Sequence, residues 1–245
     1  MIKKWLSLQY TYDWLGKILP WLGLMSCLFV GLGLVGGLWL APMDYQQGNA
    51  FRIIYVHVPS AFWSLGVYSV MFACSVMYLL WRVKLADIIA NASASLGATF
   101  TLIALVTGAL WGKPMWGTWW IWDARLTSEL ILFFLYLGYL GLRSAISDQQ
   151  RSAKAGAVIA LLGMIDIPII HFSVEWWATL HQGPSLSRFA KPSIANEMLY
   201  PLIAMIIGFG LFYTTVLAVR VRTKILMREQ GTLWVKNWLM ARSAL

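Results

Sequence analysis

The residues best suited to chemistry are three histidines and a dense run of tryptophans. His57, His171 and His181 are the only histidines in 245 residues, and neutral imidazole is a common ligand for haem iron. Two imidazoles on opposite faces of a porphyrin would give a six-coordinate centre. His57 and His181 each precede an apolar run, so a helical bundle could bring them together across a cavity. Taken singly, either could be a solvated or interfacial residue. Between two other apolar runs lies Trp111-Gly-Lys-Pro-Met-Trp-Gly-Thr-Trp-Trp-Ile-Trp122, followed by Asp123-Ala-Arg125, with five of the 15 tryptophans. An interfacial belt needs roughly one or two amphipathic rings per helix end. A wall of this density suits a large flat aromatic ligand, although some of its rings could rest in lipid headgroups.

If Trp116 to Arg125 forms a short surface helix, Trp116, Trp119, Trp120 and Asp123 share one face and Trp122 falls off it. Together with Trp111, the indoles would pack on the porphyrin plane and edges, while Arg125, helped by Lys113, reaches its propionates. An ionised Asp123 is then expected to orient Arg125 or a tryptophan N–H, or to lie near a partner. Glu129, four residues beyond Arg125, is placed to pair with it. His171 ends an apolar helix, where a structural hydrogen bond to a neighbouring span or support of an iron ligand is expected. Asp166 is the one carboxylate well inside an apolar run, and a neutral or hydrogen-bonded packing role suits it. Cys27 and Cys74 sit in apolar stretches and read as small core residues.

The elements that must position these residues are membrane spans. With 60% hydrophobic and 12% charged residues, the chain is far more apolar than a soluble domain. Its net charge of +9 collects at the ends of apolar runs instead of forming a basic stripe, which favours membrane topology over nucleic acid. Six runs are long enough to cross a bilayer as helices: about 18–40, 61–81, 88–110, 126–145, 155–172 and 199–219. The first is too long for the central region of a signal peptide and reads as a retained span. The expected fold is therefore one all-α polytopic domain over 1–245, with a tryptophan-rich surface helix or loop at 111–127 between spans three and four.

Of the 19 Lys and Arg residues, 14 fall in the N-terminal segment, loops two and four and the C-terminal tail: Lys3, Lys4, Lys17, Arg82, Lys84, Arg143, Arg151, Lys154, Arg220, Arg222, Lys224, Arg228, Lys236 and Arg242. Only Arg52, Lys113, Arg125, Arg188 and Lys191 fall in the alternate loops. Cytoplasmic segments carry such an excess, so both termini are expected to be cytoplasmic and the histidine and tryptophan segments external. No Gly-rich Lys-Ser/Thr phosphate loop is present, so any energy source must come from elsewhere.

Trp116-Gly-Thr-Trp-Trp-Ile-Trp-Asp-Ala-Arg-Leu-Thr127 resembles the tryptophan-rich "WWD" signature of the haem-handling family. Within it, Asp44-Tyr-Gln-Gln-Gly-Asn49, Tyr55-Val-His-Val-Pro59 and Val174-Glu-Trp-Trp-Ala-Thr-Leu-His-Gln-Gly183 resemble the haem exporter C subunits of the bacterial cytochrome c maturation system. The resemblance runs from about Trp21 to Val219. It implies a bacterial inner-membrane protein that binds haem b at the periplasmic face and passes it to a membrane-anchored haem chaperone, the E component. It also implies a small single-span D subunit and an ATP-binding cassette transporter of A and B subunits, which would hydrolyse ATP, as partners. His57 and His181 map onto the family's axial iron ligands. Trp116, Trp119, Trp120, Trp122 and Asp123 map onto its haem platform and chaperone contact. Two rival readings are a haem lyase that attaches haem to apocytochrome, which the chain's small outer segments disfavour, and a quinol-linked b-haem subunit, whose ligands are typically buried within spans.

Overall fold

A computed structural model describes residues 7–177, 179–181 and 194–243. Helix α1 (Leu8–Val35) closes in a π-helical turn at Gly36–Leu40, and a 3-10 turn at Asn49–Ile53 leads into α2 (Ile54–Trp81). There follow α3 (Lys84–Trp116), α4 (Ala124–Ala145), α5 (Gln149–Gly163), α6 (Asp166–Trp176), α7 (Asn196–Glu229) and the short α8 (Leu233–Ser243). With α5 and α6 taken as one interrupted crossing, six helices are long and apolar enough to span a membrane. Among the described residues there is no strand, only an isolated bridge between Asp44 and Gly48. Lys3, Lys4, Arg188 and Lys191 from the charge count, and Ala178, Gln182 and Gly183 from the third motif, lie outside the described residues, as does the side chain of Arg242.

The helices outrun the apolar segments because Leu, Arg, Lys and Gln at the margins all favour helix. Arg220, Arg222, Lys224 and Arg228, expected in a tail, ride instead on the last turns of α7. Local chemistry sets the breaks. Gly117, at φ 77°, ends α3, and its carbonyl accepts a hydrogen bond from Lys113 Nζ at 3.0 Å. Lys113, expected near the propionates, is thus committed to the helix end. Asp123 Oδ1 accepts the Leu126 N–H at 2.8 Å and starts α4, while Asp148 Oδ1 does the same for α5 through Arg151 N–H at 2.7 Å. Pro168 explains the break between α5 and α6: its ring would clash with the carbonyl four residues back, at Met164, where the backbone tightens to three-residue hydrogen bonds.

Of the two forms expected for the tryptophan segment, surface helix or loop, these breaks select the loop between Trp116 and Ala124. Residues 118–123 are non-helical, because a left-handed Gly117 and a capping Asp123 leave too few residues to nucleate a turn of their own. Trp111 and Trp116 belong to α3 instead, and the shared face of Trp116, Trp119, Trp120 and Asp123 does not exist.

Small residues let α3 run through the middle of the bundle. Ala90, Ala94, Ala98 and Ala104 are buried along it, the kind of surface that permits close helix approach in lipid. The central core gathers Tyr68, Met71, Phe100, Leu132, Tyr136 and Ile170. A second cluster of Leu8, Tyr12, Ile88, Ala92, Val221 and Ile225 closes one end, and Ala41, Ile54, Tyr55, Met198, Leu202 and Met205 close the other. Helix α1 packs on α7, with Gly33 against Met205 and Gly208 against Val30. Its opposite face, including Leu24, Leu28 and Leu32, is exposed, as suits a face whose solvent is lipid. Cys27 lies on that exposed side, so only Cys74 is the core residue expected of both.

Gly97 makes the packing testable. A Cβ there would run into the ring of Tyr136, which is fully buried and donates its hydroxyl proton to the Ser64 carbonyl at 2.7 Å. Gly97→Ala is expected to destabilise the bundle by roughly 1–3 kcal/mol, seen as a lower Tm in detergent. An unchanged Tm would show that α3 and α4 are not packed this tightly.

Two acidic residues depart from expectation. Glu129 does not form an ion-pair contact with Arg125; its Oε1 accepts the Ser64 hydroxyl at 2.8 Å. Asp166 is buried at 7% exposure as expected of a packing role, but its Oδ2 has no hydrogen-bond partner among the described residues.

Candidate functional site

His57 enters the site from the first turn of α2. Its Nδ1 lies 3.1 Å from the Ala104 carbonyl oxygen and 3.0 Å from Thr107 Oγ1, both on α3. A carbonyl can only accept, and the Thr107 hydroxyl has its own acceptor in the Ile103 carbonyl at 2.6 Å. Nδ1 therefore carries a proton, and in the neutral ring that leaves the lone pair on Nε2. The ring meets Trp111 edge-on at 5.7 Å between centroids. Trp111 is held in turn by Phe51 at its edge and by donating its Nε1–H to Gln47 Oε1 at 2.8 Å.

His181 is placed by the same logic with different partners. Its Nδ1 lies 2.9 Å from Asp123 Oδ2, and the two side chains are 16% and 7% exposed. A carboxylate fixes the proton on Nδ1 and again leaves Nε2 free. Trp116 packs edge-on against this ring at 4.7 Å, and the His181 backbone N–H donates to Thr179 Oγ1 at 3.2 Å. Burial pulls the imidazole below its ordinary value, while the Asp123 charge and hydrogen bond pull it back up. The net direction is down, which keeps the ring neutral at pH 7. One carboxylate thus starts α4 with one oxygen and orients a histidine 58 residues away with the other.

The two histidines belong to one locus, since both His181 and Arg125 stand close enough to His57 to act on it electrostatically. Arg125 sits just inside α4, and its guanidinium makes no hydrogen bond or ion-pair contact among the described residues, although the charges of Glu129 and Asp123 bear on it. Among the described residues its guanidinium is the cation at the histidine site left open to an anionic group, because Lys113 donates to the Gly117 carbonyl. Neither histidine Nε2 takes a hydrogen bond from the described residues. Two neutral imidazoles with free Nε2 atoms, supported from behind, and a neighbouring unpaired guanidinium match the donor set that a haem with its propionates requires.

The tryptophans divide into different tasks. Trp111 and Trp116 buttress the histidines. Trp120 packs edge-on with Trp122 at 5.5 Å, and its buried Nε1 lacks a partner among the described residues. Trp119 lies under the Lys113 ammonium at 5.9 Å and is 54% exposed, while Trp122 is 75% exposed. The last two therefore offer an outward aromatic surface and not a common wall with Trp116. Trp176 and Trp177 extend the exposed aromatic surface at this end, with Trp176 stacked on Phe172. His171 joins neither group: it is exposed on α6 against the edge of Phe172 and takes none of the hydrogen bonds expected of it among the described residues.

Sequence reasoning missed Thr107, the Ala104 carbonyl and the role of Gln47. A threonine inside an apolar helix usually bonds its own backbone, as Thr107 also does, so its type gives no sign of a second partner. Gln47 sits in a recognisable motif, but nothing in its spacing points to Trp111, 64 residues on.

Comparison with known proteins converges on one family. The model described as "Heme exporter protein C" matches residues 1–236. The heme exporter protein C of Haemophilus influenzae is 52% identical over 228 residues, covering 93% of each chain. That of Escherichia coli is 47% identical over 231 residues, 94% of this chain and 93% of the other. A putative cytochrome c biosynthesis ccmC-like mitochondrial protein of Marchantia polymorpha is 49% identical over 180 residues, 72% of this chain and 76% of its own.

Proposed function

The chain belongs to the heme exporter protein C family, and on that footing we propose that it binds haem b at the periplasmic face of the inner membrane and hands it to a haem chaperone. It is a multi-pass component of haem delivery for cytochrome c maturation and not a catalyst. In this reading His57 and His181 ligate the iron through Nε2. Trp111 and Trp116 hold those rings in place, Trp120 lies beside the porphyrin edge, and Arg125 receives a propionate. Trp119 and Trp122 present the outward aromatic face on which the chaperone, the E component, docks. The D subunit and the A and B subunits of an ATP-binding cassette transporter complete the assembly, and ATP hydrolysis falls to the transporter.

The observation that carries this reading is the matched pair of histidines, each with Nδ1 tied to an acceptor and Nε2 without a hydrogen-bond partner among the described residues. Fixing the rear nitrogen is how proteins set the tautomer and angle of a metal-binding imidazole. The excess of Lys and Arg in the segments on the other side of the bundle supports a periplasmic site. Haem supplies the iron, the flat ring and the propionates; orientation, exclusion of water and release are the work of this chain's residues.

The test is a two-step transfer. Purified protein titrated with haem is expected to develop a sharp Soret band that saturates near about one equivalent. Adding the separately purified chaperone should then move haem to it. Protein that binds no haem, or loaded protein that never yields it to the chaperone, would sink the proposal at the corresponding step.

A further inference from the structure

At the end of the bundle away from the histidines, a cavity of ≈ 200 Å³ opens between the starts of α3 and α5 and the last turns of α4 and α7. Its polar walls are Asp87, Asn91, Arg143, Gln149, Lys224 and Arg228. Asp87 is 4% exposed and accepts from Arg143 Nη1 on one oxygen at 2.6 Å and from Arg228 Nη1 on the other at 3.0 Å. One carboxylate thereby orients two guanidiniums, with one Nη nitrogen of each in contact. The Arg143 side chain is only 9% exposed, yet its Nε has no hydrogen-bond partner among the described residues. Lys224 is in no ion-pair contact among those residues, and the positive charge of Arg220 bears on it as well.

Three cations therefore line the cavity against one carboxylate. Two helix N-termini and two C-termini meet there, so the helix dipoles largely offset one another and the side chains decide the sign of the potential. Buried cations without full compensation are costly. A small anion would remove that cost, and two oriented guanidiniums beside an ammonium match the charge and shape of phosphate. All the cationic groups sit in terminal turns of helices, the depth at which lipid headgroups lie, and basic pockets between membrane helices recognise such headgroups.

We propose that this cavity is a binding site for a phosphate-bearing anion, held by Arg143, Lys224 and Arg228 with Asn91 and Gln149 as neutral partners. Asp87 is the positioning residue that keeps the two guanidiniums apart and aimed. The same chemistry is offered by the headgroup of an anionic phospholipid and by free phosphate.

The full-length protein is placed in nanodiscs of phosphatidylcholine, with and without phosphatidylglycerol, and separately in phosphatidylcholine nanodiscs with inorganic phosphate. Tm and apparent affinity are read in each. Stabilisation by phosphatidylglycerol alone assigns a lipid headgroup, and stabilisation by inorganic phosphate assigns the free ion. Lys224→Ala is expected to weaken whichever response is seen by about tenfold without lowering the anion-free Tm, because among the described residues Lys224 is in no ion pair whose loss would cost stability. Should Lys224→Ala lower that baseline, Lys224→Gln preserves the stem and serves the same comparison. No response to either anion, or an equal response in wild type and variant, overturns the proposal. It is also overturned if neither anion binds and the variant only loses its subunit partners, an outcome that assigns the cavity to an acidic protein segment.

Discussion

Replacing His57 and His181 together with alanine is expected to abolish the Soret band of haem-loaded protein, with affinity falling by more than about a hundredfold. Loss of the groups that merely support a metal ligand costs roughly 10–100-fold, and loss of the ligands themselves must exceed that. The two single variants should differ from the double. Each keeps one imidazole and should give a five-coordinate spectrum that added imidazole restores to six-coordinate. Both rings lie near one end of the bundle, His181 outside any helix, so the bundle should still insert and assemble. Retention of the full wild-type spectrum in the double variant would show that other groups hold the iron.

The second large effect is expected at Asp123, where two roles can be separated. Asp123→Ala removes both the α4 cap and the anchor of His181, and should lower Tm, the cap alone contributing about 1 kcal/mol, as well as weaken haem binding. Asp123→Asn leaves an oxygen to accept the Leu126 N–H, so Tm should hold. Its amide nitrogen, however, now faces His181 Nδ1 as a donor. The imidazole proton must move to Nε2, and that tautomer cannot ligate iron. Haem affinity is expected to fall about 10–100-fold in a protein of normal stability. The titration of His181 in the haem-free protein gives an independent reading. Burial already places its midpoint below the ordinary ~6.5, and Asp123 acts in the opposite direction. Removing the carboxylate charge should therefore move the midpoint further down, so that protonation requires a more acidic solution. A midpoint that rises in Asp123→Asn would contradict the ion-pair geometry.

The outcome at Trp116 to Asp123 explains why some features were legible in sequence and others were not. Helical spacing placed four residues on one face, but that inference assumed that the helix forms. Gly117 and Asp123 are strong local signals for a helix end and a helix start, and they outweigh a pattern drawn from side-chain periodicity. The exposed position of Cys27 and the length of α7 show a related limit. In a membrane chain apolarity marks what lies in the hydrocarbon, not what lies in the protein core, and helices continue past the apolar run wherever the flanking residues still favour helix.

What the sequence determined by itself was the number of crossings, the asymmetry of charge between the two ends, and the grouping of His57, His181 and the tryptophan segment at one end of the bundle. The bilayer imposes a fixed length on each apolar helix, so those features follow from counting along the chain. Which nitrogen of each histidine is left free was decided only by the tertiary structure. That depends on Ala104 and Thr107 meeting His57, on Asp123 meeting His181, and on Trp111 and Trp116 standing edge-on behind the two rings. Most of these contacts join residues about 50 or more positions apart, across helices whose rotation and depth no local pattern specifies. The same holds for Asp87 with Arg143 and Arg228, three charges that look like separate topology markers until the helix ends converge.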